Sequence, residues 1–147
     1  PFSISHDALE PVGYLIYHKN IKISIITDTG WVNDNMKENI KNSHLYFIES
    51  NHDVKMLREG SYPYYLKQRI MSNVGHLSNE DAGEVLGDVL SGNGEIVLLA
   101  HLSQDNNKPQ LAYETVRNII LEQGLDVDNN IRLELSYRDR TTCIYSL

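Results

Sequence analysis

The sequence is poor in cysteine, in long apolar runs and in targeting signals. It has one cysteine in 147 residues, which excludes an internal disulfide framework and favours the reducing cytoplasm. No apolar run approaches the roughly 20 residues that a membrane-spanning helix needs, so we predict no membrane partner. The first residues, PFSISHDALE, contain no basic stretch followed by an apolar one and predict no signal peptide. They lack an initiator methionine, so we expect the chain to begin partway through a longer protein.

Positive charge is also scarce. The sequence has 13 Lys and Arg against 20 Asp and Glu, and its formal net charge is −7. This balance argues against attraction of nucleic acid by the whole surface. It does not exclude a metalloenzyme that acts on phosphates, because bound divalent cations offset acidic ligands and a local basic patch can still hold a phosphate. With 41% hydrophobic residues, the chain has the length and composition of about one domain with a buried core.

The first half of the chain alternates strand and helix signals. Apolar alternation and turn residues predict strands at Val12–Tyr17 and Ile21–Thr27, a short helix at Asp34–Asn42 and a strand at Leu45–Glu49. The residues from Ser50 to Gly75 form a long mixed connection, in which Leu66–Met71 fits one or two helical turns. Connections of this length are usually functional or disordered.

The second half contains the clearest helix signal. Ser78–Leu90 has capping-box-like spacing of Ser78 and Asp81, followed by apolar residues at helical intervals. The remaining predictions are a buried strand at Glu95–Ala100, a helix from Pro109 to just before Gly124, a strand at Ile131–Ser136 and a further strand at Thr141–Tyr145. Together these elements predict an α/β fold with a mixed (α+β) sheet and antiparallel hairpins at one end.

Three residues of the types that bind divalent metals lie at the ends of predicted strands. His6 follows the extended segment FSIS, Asp28 comes directly after the isoleucine-rich strand, and His101 ends the run Glu95–Ala100. Imidazole and carboxylate groups on rigid elements are ligands of Zn²⁺ and Mn²⁺. Each residue also fits a simpler role, since Asp28 in TDTG suits a turn and His101 suits a hydrogen-bonded strand end. Only the combination favours a metal site.

Six sequence segments carry a family resemblance, and they are PFSISHDALEPVGY, IITDTG, FIESNHD, YPYYLKQRI, GHLSNEDA and LLAHLS. In this order they resemble the C-terminal half of the YycJ/WalJ-like group of metallo-β-lactamase-fold hydrolases, over nearly the whole chain. The resemblance implies an αββα sandwich, in which two metals lie between two β-sheets flanked by helices. It implies His6 as the single His ligand after the first metal motif of the family, Asp28 as the carboxylate that bridges both metals, and His101 as the last ligand.

The first motif of that family, HxHxDH, is absent, because no two of the six histidines are separated by one residue. The resemblance therefore implies that residues 1–147 are the C-terminal part of a single metallo-β-lactamase-like domain whose N-terminal half supplies the other ligands. We expect a partial or empty metal site in this chain alone, and no activity of its own. One half of such a domain leaves a sheet face open, so the missing half or self-association is the expected protein partner.

Four further residues are candidates for chemistry or substrate binding. His76 in GHLSN resembles the histidine of the HST loop in ribonuclease Z relatives, which implies a catalytic role at the leaving oxygen; the alternative is a local helix-capping role. His52 in ESNHD follows a strand and is a substrate-binding candidate. Lys67 and Arg69, interleaved with tyrosines, suit a phosphate backbone with splayed bases. They equally suit an ordinary packed loop with solvated charges.

The function implied is a metal-dependent hydrolase, most specifically a two-metal phosphodiesterase with exonuclease activity on DNA. Two divalent ions, Zn or Mn, are the implied cofactors, with Asp28 and His76 in the catalytic roles. Three alternatives remain open from the residues alone: an inactive half-domain that serves as an assembly partner, an RNA-processing nuclease, and a lactonase on the same metals. The long connection with its Lys and Arg argues mildly against the lactonase.

Overall fold

The computed structural model describes residues 1–127 and 129–147, and its centre is one six-stranded mixed sheet in the order β1-β2-β3-β4-β5-β6. The first three strands pair antiparallel, and β3 to β6 pair parallel. The prediction of a mixed sheet with antiparallel hairpins at one end is therefore confirmed. The strands are β1 (Phe2–Ser3), β2 (Val12–His18), β3 (Ile21–Ile26), β4 (Leu45–Glu49), β5 (Glu95–Ala100) and β6 (Ile131–Leu135).

The described residues form five helices, each with a start or stop signal in the sequence. They are α1 (Asp34–Ile40), α2 (Val54–Glu59), α3 (Tyr64–Ile70), α4 (Asn79–Val89) and α5 (Pro109–Glu122). The predicted capping box forms: the Ser78 side chain accepts from the Asp81 backbone N–H, and the Asp81 side chain accepts from the Ser78 backbone N–H. Pro109 lies in the first turn of α5, where its missing N–H costs no intrahelical bond. No helix in the described part of the chain is both long and apolar enough to cross a membrane.

One face of the sheet carries the main core. Strand register places Ser24 beside Tyr46 and Tyr46 beside Val97, and it places Ile26, Ile48 and Leu99 in the next row. Apolar residues of α1, α4 and α5 pack on these rows, among them Ile40, Leu86, Val116 and Ile120. The helical periodicity of α4 and α5 thus buries their apolar stripes against a sheet whose alternate residues are also apolar.

The opposite face also has two apolar rows across four strands. Ile16, Ile23, Leu45 and Ile96 form one row, and Tyr14, Ile25, Phe47 and Leu98 form the other. The buried cluster on this face consists, among the described residues, of strand side chains and Tyr145. Tyr14 and Ile16 on β2 are about half exposed, at 49% and 48%. On this face β2 therefore presents apolar surface that the helices of the described residues leave partly exposed.

Two elements differ from the sequence prediction. Thr141–Tyr145 is not a strand: its first four residues are exposed, and the segment is held through Tyr145, whose hydroxyl donates to Glu134 (2.6 Å) and whose ring lies under Arg132. Side-chain anchoring replaces a backbone ladder there. In the long connection, α2 was not predicted because it has six residues and buries only Leu57. Its N-cap, Asp53, accepts from the Met56 N–H at 2.7 Å and is the local signal that identifies it.

Candidate metal centre

The carboxyl ends of three neighbouring parallel strands meet at one edge of the sheet. Asp28 follows β3, Glu49 ends β4, and His101 follows β5. His76 joins them from the loop between α3 and α4. One ligand-type atom from each of these four residues lies within 4.8 Å of the other three. The site lies where ligands bind in open α/β sheets, outside the carboxyl ends of the strands.

Glu49 is the centre of this group and was not predicted as a site residue. Its side chain has no exposed surface. Oε1 lies 2.7 Å from His76 Nδ1 and 2.5 Å from His101 Nδ1, and Oε2 accepts the Thr29 N–H at 2.9 Å. Burial acts to raise the pKa of Glu49, but the hydrogen bonds from His101 and His76 outweigh it and lower the pKa overall. The sequence did contain a signal for Glu49 as a site residue, because it is a charged residue at the end of an apolar strand.

The contacts of Glu49 determine which imidazole nitrogens are available to a metal. A carboxylate accepts hydrogen bonds, so Nδ1 of both His76 and His101 carries the proton and Nε2 retains its lone pair. Metal-binding histidines commonly donate their other N–H to a carboxylate in this way. The hydrogen bond to Glu49 also raises the pKa of His101. Together with Asp28, these groups form a borderline-hard donor set that fits Zn²⁺ or Mn²⁺.

Asp28 and His101 both adopt left-handed backbone conformations, with φ of 57° and 55°. Such angles are uncommon outside glycine and cost on the order of 1–3 kcal/mol when the surroundings enforce them. The Asn51 side-chain amide donates to the His101 carbonyl at 2.9 Å and so helps to hold this turn. If the strands continued, neighbouring residues would point to alternate faces of the sheet. The left-handed conformations end β3 and β5 instead, and both side chains lie at the shared edge of the sheet.

His6 lies beside the four-residue group and not within it. Its Nδ1 is 3.1 Å from the Gly75 carbonyl oxygen, which only accepts, so Nδ1 carries the proton and Nε2 is available. Its ring centroid is 5.2 Å from that of His76, and the His76 centroid is 5.1 Å from that of His101. Three imidazoles therefore follow one another along the site. The structure brings together His6, Asp28, His76 and His101, all of them predicted site residues.

The three substrate-binding candidates occupy different environments. His52 is buried (1% exposed), and among the described residues its Nδ1 has no hydrogen-bond partner. Burial lowers the pKa of His52 to about 4. The Lys67 ammonium donates to the carbonyls of Arg58 (2.7 Å) and Gly60 (2.6 Å), and so joins α3 to the end of α2. Of the three, Arg69 alone lines the groove described next, and its guanidinium is paired with Asp7.

A groove of about 1180 Å³ opens from the site. His76 and His101 lie in its wall, and its lining also includes Tyr62, Arg69, Tyr137 and Arg138. The Tyr62 hydroxyl donates to Asp105 at 2.7 Å, which fixes one rim of the groove. The groove wall therefore combines arginine side chains with aromatic rings.

Comparison with known proteins gives relatives that are about twice as long. The chain is 48% identical over 126 residues to the exodeoxyribonuclease YycJ of Bacillus anthracis, a match that covers 86% of this chain and 48% of the relative. It is 40% identical over 141 residues to the exodeoxyribonuclease WalJ of Streptococcus pneumoniae serotype 2, covering 96% of this chain and 52% of the relative. No family model matches the chain. The chain thus spans about half the length of the curated relatives it matches.

The fold comparison agrees with the sequence comparison. The crystal structure of the metallo-β-lactamase fold protein YhfI from Bacillus subtilis superposes with a TM-score of 0.61 at 14% identity, covering 92% of this chain and 44% of that one. At this identity the likeness concerns the fold alone. The resemblance to the YycJ/WalJ-like group is therefore confirmed, and the chain has the metallo-β-lactamase fold over the half-length that it spans.

Proposed function

We propose that this chain is the C-terminal part of a metal-dependent phosphodiesterase that acts as an exonuclease on DNA. The observation that carries the proposal is the convergence of Asp28, Glu49, His76 and His101 within 4.8 Å at the carboxyl ends of parallel strands. The names of the relatives, both exodeoxyribonucleases, support DNA as the substrate. The single exposed cysteine agrees with a place in the cytoplasm.

His6, Asp28 and His101 are the residues of this chain that would hold two divalent ions, Zn or Mn. Asp28 would bridge the two, and each imidazole would contribute the Nε2 lone pair that its Nδ1 contact leaves available. When bound, such ions polarise a phosphoryl oxygen and acidify water. An Asp and one His for each ion is fewer than the usual four ligands, so the remaining ligands come from the half that this chain does not contain.

His76 would move the proton at the leaving oxygen. Its Nδ1 donates to the buried Glu49 carboxylate at 2.7 Å, and this contact fixes the orientation of the ring. An aspartate that orients and stabilises the histidine of a hydrolytic triad acts by the same physics. His76 also lies in the wall of the groove, where a phosphate chain would pass.

The N-terminal half would cover the open face of the sheet. On this face Tyr14 and Ile16 of β2 are about half exposed, and no helix of the described residues contributes to the buried cluster beside them. A second half that packs there would bury this surface and bring its own ligands to the site. The same open face favours the second candidate function, in which the isolated chain is an inactive assembly partner.

The test compares this chain with the longer protein that contains both halves. Each is assayed for bound Zn and Mn, for hydrolysis of bis-p-nitrophenyl phosphate, for release of nucleotides from DNA and from RNA, and for hydrolysis of a lactone. We expect at most partial metal binding and no turnover in the 147-residue chain, and DNA hydrolysis that requires His76 in the longer protein. If the longer protein binds no transition metal and cleaves no phosphodiester, the proposal is wrong. Preferred cleavage of RNA or of the lactone would assign the alternative substrate.

A further inference from the structure

The segment that carries His6 is fastened to the loop that carries His76. The Ser5 hydroxyl donates to the Asn73 carbonyl (2.7 Å), and the Asp7 backbone N–H donates to the Val74 carbonyl (3.1 Å). Between them, His6 Nδ1 donates to the Gly75 carbonyl at 3.1 Å. Three consecutive residues thus contact three consecutive residues of the loop that immediately precedes His76.

That loop is itself packed against the end of α3. The His76 N–H donates to the Ile70 carbonyl at 2.9 Å, and a Cβ at Gly75 would lie 2.2 Å from the carbonyl oxygens of both Arg69 and Ile70. Side chains do not fit at such a distance, so Gly75 is required for this close approach. The last turn of α3 and the His76 loop consequently form one rigid unit.

Arg69, in that last turn, makes the fourth contact with the His6 segment. Its Nε lies 2.5 Å from Asp7 Oδ2, and its Nη2 lies 2.8 Å from Asp7 Oδ1. This is the two-point pairing that gives arginine–carboxylate contacts their geometric specificity. The same carboxylate has its Oδ1 3.6 Å from His6 Nε2. The ion pair therefore ends beside the imidazole nitrogen that the proposed function assigns to a metal.

We propose that Arg69 and Asp7 are positioning residues whose ion pair sets the placement of His6 beside His76, and that Arg69 is not a phosphate contact of the groove. This inference rests on the proposed function in one respect: the placement of His6 matters because the proposed function assigns His6 to a metal. The donor edge formed by Nε and Nη2 is occupied by Asp7, and binding of a phosphate by that edge would break the pair.

The test uses Arg69→Gln, Asp7→Asn and the double variant in the metal-free chain. The direct measurement is the cross-relaxation between ring protons of His6 and His76, whose centroids are 5.2 Å apart. We expect each single variant to weaken this signal and the double variant to weaken it no further than a single one, because the two residues act as one pair. Lys37→Gln is the matched control. It removes the Lys37–Asp88 ion pair (2.7 Å), which joins α1 to α4 away from the site, and it leaves the signal unchanged.

Zn²⁺ affinity, from competition with a chelator, is the second readout. We expect Arg69→Gln and Asp7→Asn each to lower it about 10-fold, the lower end of the effect of groups that orient ligands. If both variants leave the ring-proton signal as in the unmodified chain, the inference is wrong. It is also overturned if, in the longer protein, Arg69→Gln raises KM for a phosphodiester and Asp7→Asn does not. Failure of the unmodified chain and of the longer protein to bind Zn²⁺ would sink the proposed function, while the ring-proton signal would still decide the pairing.

Discussion

Glu49→Gln is the substitution whose effect follows most directly from the geometry of the site. The Glu49 carboxylate accepts from two imidazole N–H groups on one oxygen and from the backbone N–H groups of Thr29 and Leu77 on the other. A glutamine has one acceptor and one donor end. The backbone N–H groups cannot reverse their polarity, so the amide oxygen must face them and the NH₂ group must face His76 and His101. Each imidazole then accepts at Nδ1 and carries its proton on Nε2.

The substitution therefore removes the metal-binding lone pair with almost no change in shape. The loss per histidine is about 1.5–3 kcal/mol, the contribution of a hydrogen bond to a charged group. Because about 1.4 kcal/mol corresponds to a factor of ten, we expect a roughly 10- to 100-fold loss of Zn²⁺ affinity, in line with other carboxylates that orient metal-binding histidines. Of the three proposed ligands, His6, Asp28 and His101, it is His101 that contacts Glu49, so the effect of one histidine is the expected minimum.

The assay is Zn²⁺ binding by chelator competition, combined with thermal unfolding of the metal-free chain. Glu95→Gln is the matched control. Glu95 is also buried and accepts from the backbone N–H groups of Ser91 and Asn93, both at 2.7 Å, but it begins β5 at the opposite end of the sheet. We expect Glu95→Gln to cost about 1–3 kcal/mol of folding stability, because a buried N–H then faces a donor, and to leave Zn²⁺ affinity unchanged. Equal Zn²⁺ affinities for Glu49→Gln and the unmodified chain would refute the tautomer argument.

Three further predictions concern stability. Because the pKa of His52 is lowered to about 4, the unfolded chain binds a proton below about pH 6.5 that the folded chain does not; stability is full above that pH and falls by about 3 kcal/mol toward pH 4. The free energy of unfolding, measured with urea at several pH values, should fall less toward pH 4 in His52→Gln than in the unmodified chain. Superimposable pH curves for the two proteins would contradict the prediction. Gly75→Ala should cost about 1–3 kcal/mol by overpacking, whereas Gly87→Ala, whose Cβ would have the flexible end of the Gln123 side chain as its nearest neighbour, should be neutral or stabilising in thermal unfolding. Asn107→Asp should cost about 3 kcal/mol or more at neutral pH, since a carboxylate would face the oxygens of Ser50, Asn51 and Asn79, and low pH should reduce the loss.

The elements that the sequence predicts well are those whose signals are local. The strands Leu45–Glu49 and Glu95–Ala100 have the bounds that apolar runs between turn residues indicate, and α4 is framed by its capping box. Thr141–Tyr145 has the same β-branched and aromatic composition, but among the described residues it contacts β6 through the side chains of Glu134 and Arg132 and forms no backbone ladder. Composition measures the preference of a segment for extended backbone, whereas a strand also requires a partner, and partner choice is a property of the whole fold.

The site shows the same division between local and tertiary information. His6, Asp28, His76 and His101 carry recognisable chemistry in recognisable positions, and the structure places them together. The role of Glu49 is not local, because its four donors come from residues 20 to 52 positions away. The composition around Arg69 is that of a phosphate site, but its partner is Asp7, 62 positions earlier. Residue type predicts what a side chain can bind, and only the fold determines which partner it has.

A buried amide network holds the segments of the candidate site together within this chain. Asn79 and Asn107 pair through reciprocal hydrogen bonds of 3.0 and 2.8 Å, and Asn107 also donates to the Ser50 and Asn51 carbonyls. These contacts tie together the segments that follow Glu49, His76 and His101 without any metal. The donor atoms are thus positioned by hydrogen bonds that form on folding of this chain. Under the proposed function, ligands from outside this chain would be added to an existing arrangement and would not have to create it. Weak metal binding by this chain would therefore reflect too few ligands and not a disordered site.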